Sequence, residues 1–184
     1  MKLDVPGKVV DFQGVPEGGL FRFAAEGKAH LGIRIFQPAR GAAFKWDGCA
    51  IISSHFSSDR AFSTVEVTDK HLRTNPVVLL ADAKLSPSLD ADAYIFEQSS
   101  LQRAGRLLLV DGNIFLVARD GDQFLHVNML SGEIATPKGR MVAIKSWAIV
   151  AMVQGEAIEL YRYSEKKDSS DARLRDPLPK MPKR

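Results

Sequence analysis

Cysteine and histidine are the side chains of this sequence that could act as nucleophile, general base or metal ligand. They comprise one cysteine, Cys49, and four histidines, His30, His55, His71 and His126. A cysteine thiolate with a histidine close by in space could be a nucleophile. Cys49 is followed by Ala50-Ile51-Ile52, however, and this setting is more typical of a small core residue. No two histidines have the spacing of a local metal site, so no metal ligand is predicted.

Other catalytic signatures are missing from the sequence. Ser53-Ser54-His55 lacks the Gly-x-Ser-x-Gly turn of serine hydrolases. The glycine-rich loops that bind phosphates are also absent, so no cofactor is predicted. Asp111, Asp120 and Asp122 fall in or beside predicted turns, where aspartate is favoured for backbone reasons. The sequence therefore predicts no catalytic residue and favours a protein that is not an enzyme.

Basic and aromatic side chains between residues 21 and 46 indicate a candidate nucleic-acid contact. Arg22 and Arg34 lie in adjacent predicted strands and could share one face of a sheet, with Lys45 and Trp46 nearby. Cations near aromatic rings suit a phosphate backbone and stacked bases. The aromatic residues of this stretch are equally good core residues, so the interpretation competes with simple packing.

The basic character of the chain comes from its C-terminal end. Residues 164–184 hold seven basic and four acidic side chains, which accounts for the whole formal net charge of +3. This segment has no aromatic residue, contains three prolines and cannot bury enough apolar surface to offset its ordering entropy. We therefore expect one globular domain at residues 1–163 and a basic, flexible tail at 164–184. The tail could add weak, salt-sensitive affinity for polyanions.

Strand signals dominate the domain. Alternating apolar residues at Leu31, Ile33 and Ile35 predict a strand with one buried face, in a hairpin with Leu20 to Ala24. In the second half, Asp111-Gly112 predicts a two-residue hairpin turn, and the short spacings between later strands predict an antiparallel meander. Residues 113–133 resemble a strand pair of quinoprotein-type propeller repeats, but no second copy follows at a blade-length period. The sequence thus predicts a mainly-β sandwich or barrel built from meander hairpins.

Two local predictions depart from this pattern or refine it. Ser86-Pro87, the acidic residues that follow and an apolar stripe ending at Gly105 predict one helix over about residues 87–104. The stretch Ala93 to Phe96 fits a strand as well. Farther along, Trp147 and the run Ala148 to Val153 are predicted to be core, so a Val150→Asp change is expected to prevent soluble expression.

These observations favour a binding function over a catalytic one. A single cysteine and the absence of a signal-peptide or membrane-spanning pattern in the sequence lead us to expect a cytoplasmic protein. We expect a non-catalytic β-module that acts by protein–protein contact, as an assembly, adaptor or regulatory subunit, with a protein partner or by self-association. One alternative is a small-molecule-binding or enzymatic β-barrel with a site around Cys49 and the histidines. The other is a nucleic-acid-binding protein using Arg22, Arg34, Lys45, Trp46 and the basic tail.

Overall fold

A computed structural model describes residues 7–25, 27–38, 46–53, 61–67, 75–88, 94–95 and 103–165, with the side chains of residues 46, 53, 94 and 95 left out of the description. These residues form fourteen strands and one 3-10 helix, Phe12–Gly14. The strands are β1 (Lys8–Asp11), β2 (Leu20–Ala25), β3 (Lys28–Gln37), β4 (Trp46–Ser53), β5 (Thr64–Glu66), β6 (Pro76–Leu79), β7 (Ala83–Pro87), β8 (Tyr94–Ile95), β9 (Leu107–Val110), β10 (Asn113–Asp120), β11 (Gln123–Asn128), β12 (Met141–Ile144), β13 (Ser146–Val153) and β14 (Glu156–Ser164).

The first half of the chain forms a six-stranded antiparallel sheet in the order β1-β6-β2-β3-β4-β5. The predicted hairpin is confirmed, because β2 and β3 pair in continuous register from Leu20 opposite Ile33 to Ala25 opposite Lys28. The alternation in β3 is also confirmed, since Leu31, Ile33 and Ile35 all belong to the central core. The period-2 pattern thus identified both the strand and its buried face.

The second half divides between two further sheets, of order β11-β10-β9-β12-β8 and β14-β13-β7. Strands β9, β10 and β11 form the predicted meander. The meander does not continue, because β12 pairs with the free side of β9 and β13–β14 pair with β7 instead. Residues Glu133 to Ala135 hydrogen-bond along the outer edge of β11, so the next strand cannot add there.

The three sheets pack in a sandwich-like arrangement around one central core. This core takes apolar side chains from all three sheets, among them Ile33, Ile52, Leu107, Leu116 and Trp147. Smaller apolar clusters cover the other face of the six-stranded sheet and the other face of the five-stranded sheet. Both of these sheets consequently have buried apolar side chains on each face.

The predicted helix over residues 87–104 is wrong wherever the structure describes that range. Pro87 ends strand β7 opposite Trp147, and Tyr94 lies in β8 opposite Ile144. Residues 89–93 and 96–102 lie outside the described residues. The Ser-Pro start signal and the apolar stripe are local preferences, and pairing with β13 and β12 overrides them because tertiary contacts dominate weak propensity.

Strand β13 is buried from Trp147 to Ile149, Ala148 included, and on alternate residues after that. Trp147, Ile149 and Ala151 are core residues, whereas Val150 is half-buried and Met152 is exposed on the opposite face. The prediction that the whole run is core is therefore wrong for Val150, Met152 and Val153. A strand at one side of a sandwich buries one face, and the continuous apolar run concealed this alternation.

Strand β14 and the residue after it include two residues of the predicted tail, Ser164 and Glu165. Strand β14 extends through Ser164, and the carboxylate of Glu165 pairs with the buried guanidinium of Arg106. Residues 166–184, the rest of the predicted tail, lie outside the described residues.

Candidate functional site

The two arginines of the predicted nucleic-acid contact lie on opposite faces of the six-stranded sheet. Arg22 of β2 is opposite Leu31 in β3, and Arg34 of β3 is opposite Cys49 in β4. Residues 31 and 34 of one strand face opposite sides, because side chains alternate along a strand. The predicted shared face is therefore wrong for this pair.

Arg34 is held in contacts within the domain. Its Nε and Nη2 donate to the carboxylate of Asp47, at 3.2 and 2.7 Å. Its Nη1 donates to the carbonyl oxygens of Gln13 and Val15, and its guanidinium lies over the Phe12 ring at 5.3 Å. The side chain thus connects the segment around the 3-10 helix to strands β3 and β4, and each of its three nitrogens donates to a protein group.

The other two residues of that prediction are only partly described. Lys45 lies outside the described residues, and Trp46 is described by its backbone position at the start of β4. Nucleic-acid binding by these two residues stays a prediction.

Cys49 is buried, and burial raises the pKa of its thiol to about 12. A thiol with that pKa stays protonated at neutral pH and is a poor nucleophile. His30 lies on the same face of the sheet, four residues along β3 from the partner of Cys49, or about 13 Å away at the rise of a strand. The structure therefore does not bring Cys49 and His30 together as nucleophile and base.

Of the three remaining histidines, His126 lies within the described residues. His126 lies in β11 of the five-stranded sheet, and burial lowers its pKa, so its imidazole is neutral at pH 7. His55 and His71 lie outside the described residues. Within the described ranges, no group of three or more His, Cys, Asp and Glu side chains is arranged to hold a metal ion.

An apolar pocket opens beside Cys49 on the outer face of the six-stranded sheet, and we name it the Cys49 pocket. Its volume is about 60 Å³. Strands β2, β4, β5 and β6 contribute most of its walls, and the 3-10 helix contributes one ring. The lining residues are Phe12, Phe21, Phe23, Ala24, Cys49, Ile51, Val65, Val67, Asn75, Pro76 and Val77.

The pocket walls are fixed by ring packing around a strand glycine. A β-carbon added at Gly32 would lie 3.2 Å from Cζ of Phe21 and 3.4 Å from Cε1 of Phe23, so the absent side chain lets both rings approach the sheet. The rings of Phe21 and Phe12 meet edge to face, with centroids 5.4 Å apart. Packed aromatic rings thus form part of the pocket wall, and its exposed rim includes Val65 and Pro76.

A larger cleft of about 280 Å³ lies at the junction of the sheets. Leu20 and Leu79 line it from the six-stranded sheet, Leu85 from β7, and Met129 from the turn after β11. The backbone of Gly18 and Gly19 forms part of its wall. Sequence reasoning gave no sign of either cavity, because both depend on residues that are far apart in the chain.

A buried ion pair is the second feature that sequence reasoning missed. Arg106 donates from Nε and Nη2 to both carboxylate oxygens of Glu165, at 2.8 and 2.6 Å, and Arg103 donates to the same carboxylate at 2.7 Å. Only 7% of the Arg106 side chain and 9% of the Glu165 side chain are exposed. The pair joins the start of β9 to the end of β14, so its role is to hold two sheets together.

Comparisons with protein-family models, with curated proteins and with solved structures each found no match. The part of the chain that the structure describes has no helix with the length and apolar character needed to span a bilayer.

Proposed function

We propose that this protein is a non-catalytic β-module that acts by contact with a partner protein, which inserts one apolar side chain into the Cys49 pocket. The observation that carries the proposal is a surface pocket with apolar walls and a volume of about 60 Å³. Sites for drug-sized ligands have volumes of about 300 Å³ or more, so a pocket this small suits a single aliphatic side chain. Side chains that fill such pockets dominate the binding energy of many protein interfaces.

The chemistry of the pocket supports binding rather than reaction. The sulfur in the pocket is a thiol whose pKa is raised to about 12 by burial, and apart from Asn75 the other lining residues are aromatic or aliphatic. A protonated thiol among apolar side chains behaves as a small hydrophobic group. Cys49 therefore contributes to the apolar surface that a partner side chain would contact.

A change at the rim of the pocket tests the proposal without disturbing the core. Val65 lies opposite Cys49 in edge strand β5, and 36% of its surface is exposed. We expect Val65→Asp to place a charge at the pocket mouth and to weaken partner binding at least about tenfold, since each 1.4 kcal/mol changes an affinity tenfold. The measurement is selection of a phage-displayed random peptide library on the purified protein, followed by titration of the selected peptides.

The matched control is Val9→Asp, because Val9 is an exposed valine in β1, the other edge strand of the same sheet, and does not line the pocket. Peptides that share an aliphatic residue, bind wild type and Val9→Asp equally and lose affinity for Val65→Asp would support the proposal. A library that yields no binding peptide, or peptides that bind Val65→Asp as well as wild type, would overturn it. Thermal melts of both variants show whether each is folded.

A further inference from the structure

Strand β14 is the longest edge strand in the described chain. It has nine residues and pairs with β13 on one side, and no described strand lies on its other side. The other edge strands have two to six residues, and the outer edge of β11 is covered by residues Glu133 to Ala135. Unpaired N–H and C=O groups along an edge of this length, about 30 Å, form a template for another strand.

Glu159 and Arg162 project from the same face of β14 although they are three residues apart. In a regular strand they would face opposite sides. The register shifts between Ile149, which is opposite Tyr161, and Val150, which is opposite Glu159, so Leu160 is an extra residue. This bulge places both charged side chains on the outer face, where Arg162 donates to Glu159.

We propose that two copies of this chain pair antiparallel through β14, with Glu159 of each copy opposite Arg162 of the other. An antiparallel pair of identical strands has twofold symmetry, so one such contact creates the second. Registers that place Glu159 opposite Glu159, or Arg162 opposite Arg162, set like charges against each other and are disfavoured. The charge pattern of the edge thus selects a second copy of the same strand, in one register.

Apolar neighbours fit the same register. It places Ile158 opposite Tyr163 of the second copy, on the face that continues the core side of the sheet, and Leu160 opposite Tyr161. Ile158 is 39% exposed and Tyr163 is half-buried, so pairing would cover apolar surface that is open to solvent in one chain. Aromatic and aliphatic side chains directly opposite each other stabilise antiparallel strands.

The ion pair within one chain does not oppose this exchange. The side chains of Glu159 and Arg162 are 41% and 59% exposed, and exposed ion pairs contribute little to stability. Breaking the Glu159–Arg162 ion pair within one chain, and forming the same ion pair with a second copy, therefore costs little free energy. The surface lies on a different sheet from the Cys49 pocket, so this proposal and the proposed function can fail independently.

Reversal of one charge at a time, followed by mixing, tests the pairing. Glu159→Arg leaves two cations, and Arg162→Glu two anions, on each edge, so each variant alone is expected to dissociate at least about tenfold more readily. In an equimolar mixture every cation meets an anion of the other copy, and the dimer returns. Mixing cannot restore the ion pair within a chain, so recovery reports the contact between copies.

The measurement is sedimentation velocity over a protein concentration series at low ionic strength. Lys84→Glu is the control, because it reverses a charge on β7, the other edge strand of the same sheet, and should leave the dimer unchanged. Dimeric wild type, monomeric single variants and a dimeric mixture would confirm the pairing. A monomeric wild type, single variants that remain dimeric, or a mixture that stays monomeric would each overturn it.

Discussion

At the scale of single residues, Gly105 is a position where the surrounding rings leave no room for a side chain. Its φ is +92°, and an added β-carbon would lie 2.5 Å from Cε2 of Tyr163 and 2.6 Å from Cε2 of Phe62. Its carbonyl oxygen accepts a hydrogen bond from Nε1 of Trp147 at 2.7 Å. The rings of Phe62, Trp147 and Tyr163 pack on one another around this glycine. Close approach of rings to backbone therefore requires glycine here.

Gly105→Ala is expected to lower the free energy of unfolding by about 3 kcal/mol, from backbone strain and ring displacement together. Gly112→Ala is the matched control, because Gly112 has a φ of +80° with no atom within 4 Å of the added carbon. It should cost only the backbone term, about 1 kcal/mol. Chemical denaturation of both variants measures the difference. Equal losses would show that the ring contacts at Gly105 contribute nothing.

The residues of the candidate site show what a sequence can predict at this scale. Burial of Cys49 could be predicted, since apolar neighbours in a strand indicate a core position. The role of Arg34 could not, because its partner Asp47 is thirteen residues away and its acceptors in the chain around Gln13 depend on how that segment folds back. A cation beside aromatic residues has the same sequence pattern whether it binds nucleic acid or a carboxylate in its own domain.

At the scale of elements, β13 shows what the periodicity of apolar residues can predict and what it cannot. The strand was predicted correctly, but its alternation is hidden because Val150 and Met152 on the outer face are as apolar as the core residues. Ile149→Asp should prevent soluble expression, since a carboxylate would replace a fully buried side chain of the central core. Val150→Asp should fold, because Val150 is half-buried and lies opposite Lys84 and Glu159.

Soluble yield and thermal melts of these two variants, expressed side by side, measure the prediction. Positions 149 and 150 are adjacent in the strand, so both variants add the same negative charge to the same element and differ only in the face that carries it. An insoluble Val150→Asp would mean that the outer face of this sheet is covered. A soluble, folded Ile149→Asp variant would show that Ile149 is not a core residue.

Strands were predicted well because local alternation and turn residues determine them, whereas the sheets to which they belong were not. The hairpins β2–β3 and β9–β10 have short turns that permit only adjacent antiparallel pairing. The pairings of β7 with β13 and of β8 with β12 join distant segments, and no local pattern specifies them. The predicted helix was an error of the same origin, since its local signals compete with a pairing that is visible only in the folded chain.

At the scale of the whole molecule, the Arg106–Glu165 pair connects the end of the described chain to its interior. Glu165 follows β14 directly, and its amide also donates to the carbonyl oxygen of Lys145 at 3.0 Å. A carboxylate that neutralises a buried guanidinium stabilises the fold mainly because its removal leaves an uncompensated charge. Sequence reasoning assigned Glu165 to the tail, because nothing local distinguishes it from the charged residues that follow.

Glu165→Gln is expected to lower the free energy of unfolding at pH 7 by about 3 kcal/mol, the cost of breaking a buried pair from one side. Glu156→Gln, at the exposed first position of the same strand, should change it by less than about 0.5 kcal/mol.

The pH dependence of the stability difference identifies its cause. Burial raises the pKa of Glu165. The hydrogen bond from Arg106 and the positive charges of Arg106, Arg103 and Lys145 together lower the pKa by more than burial raises it, so the net pKa is below its ordinary value of 4.5. A carboxyl with a lowered pKa contributes its full stability above pH 4.5 and loses it as the pH falls through the lower value in the folded protein. Wild type should therefore lose its advantage over Glu165→Gln in that acid range and keep it above. A difference between the two proteins that is constant from neutral to acid pH would show that glutamine disturbs packing rather than charge.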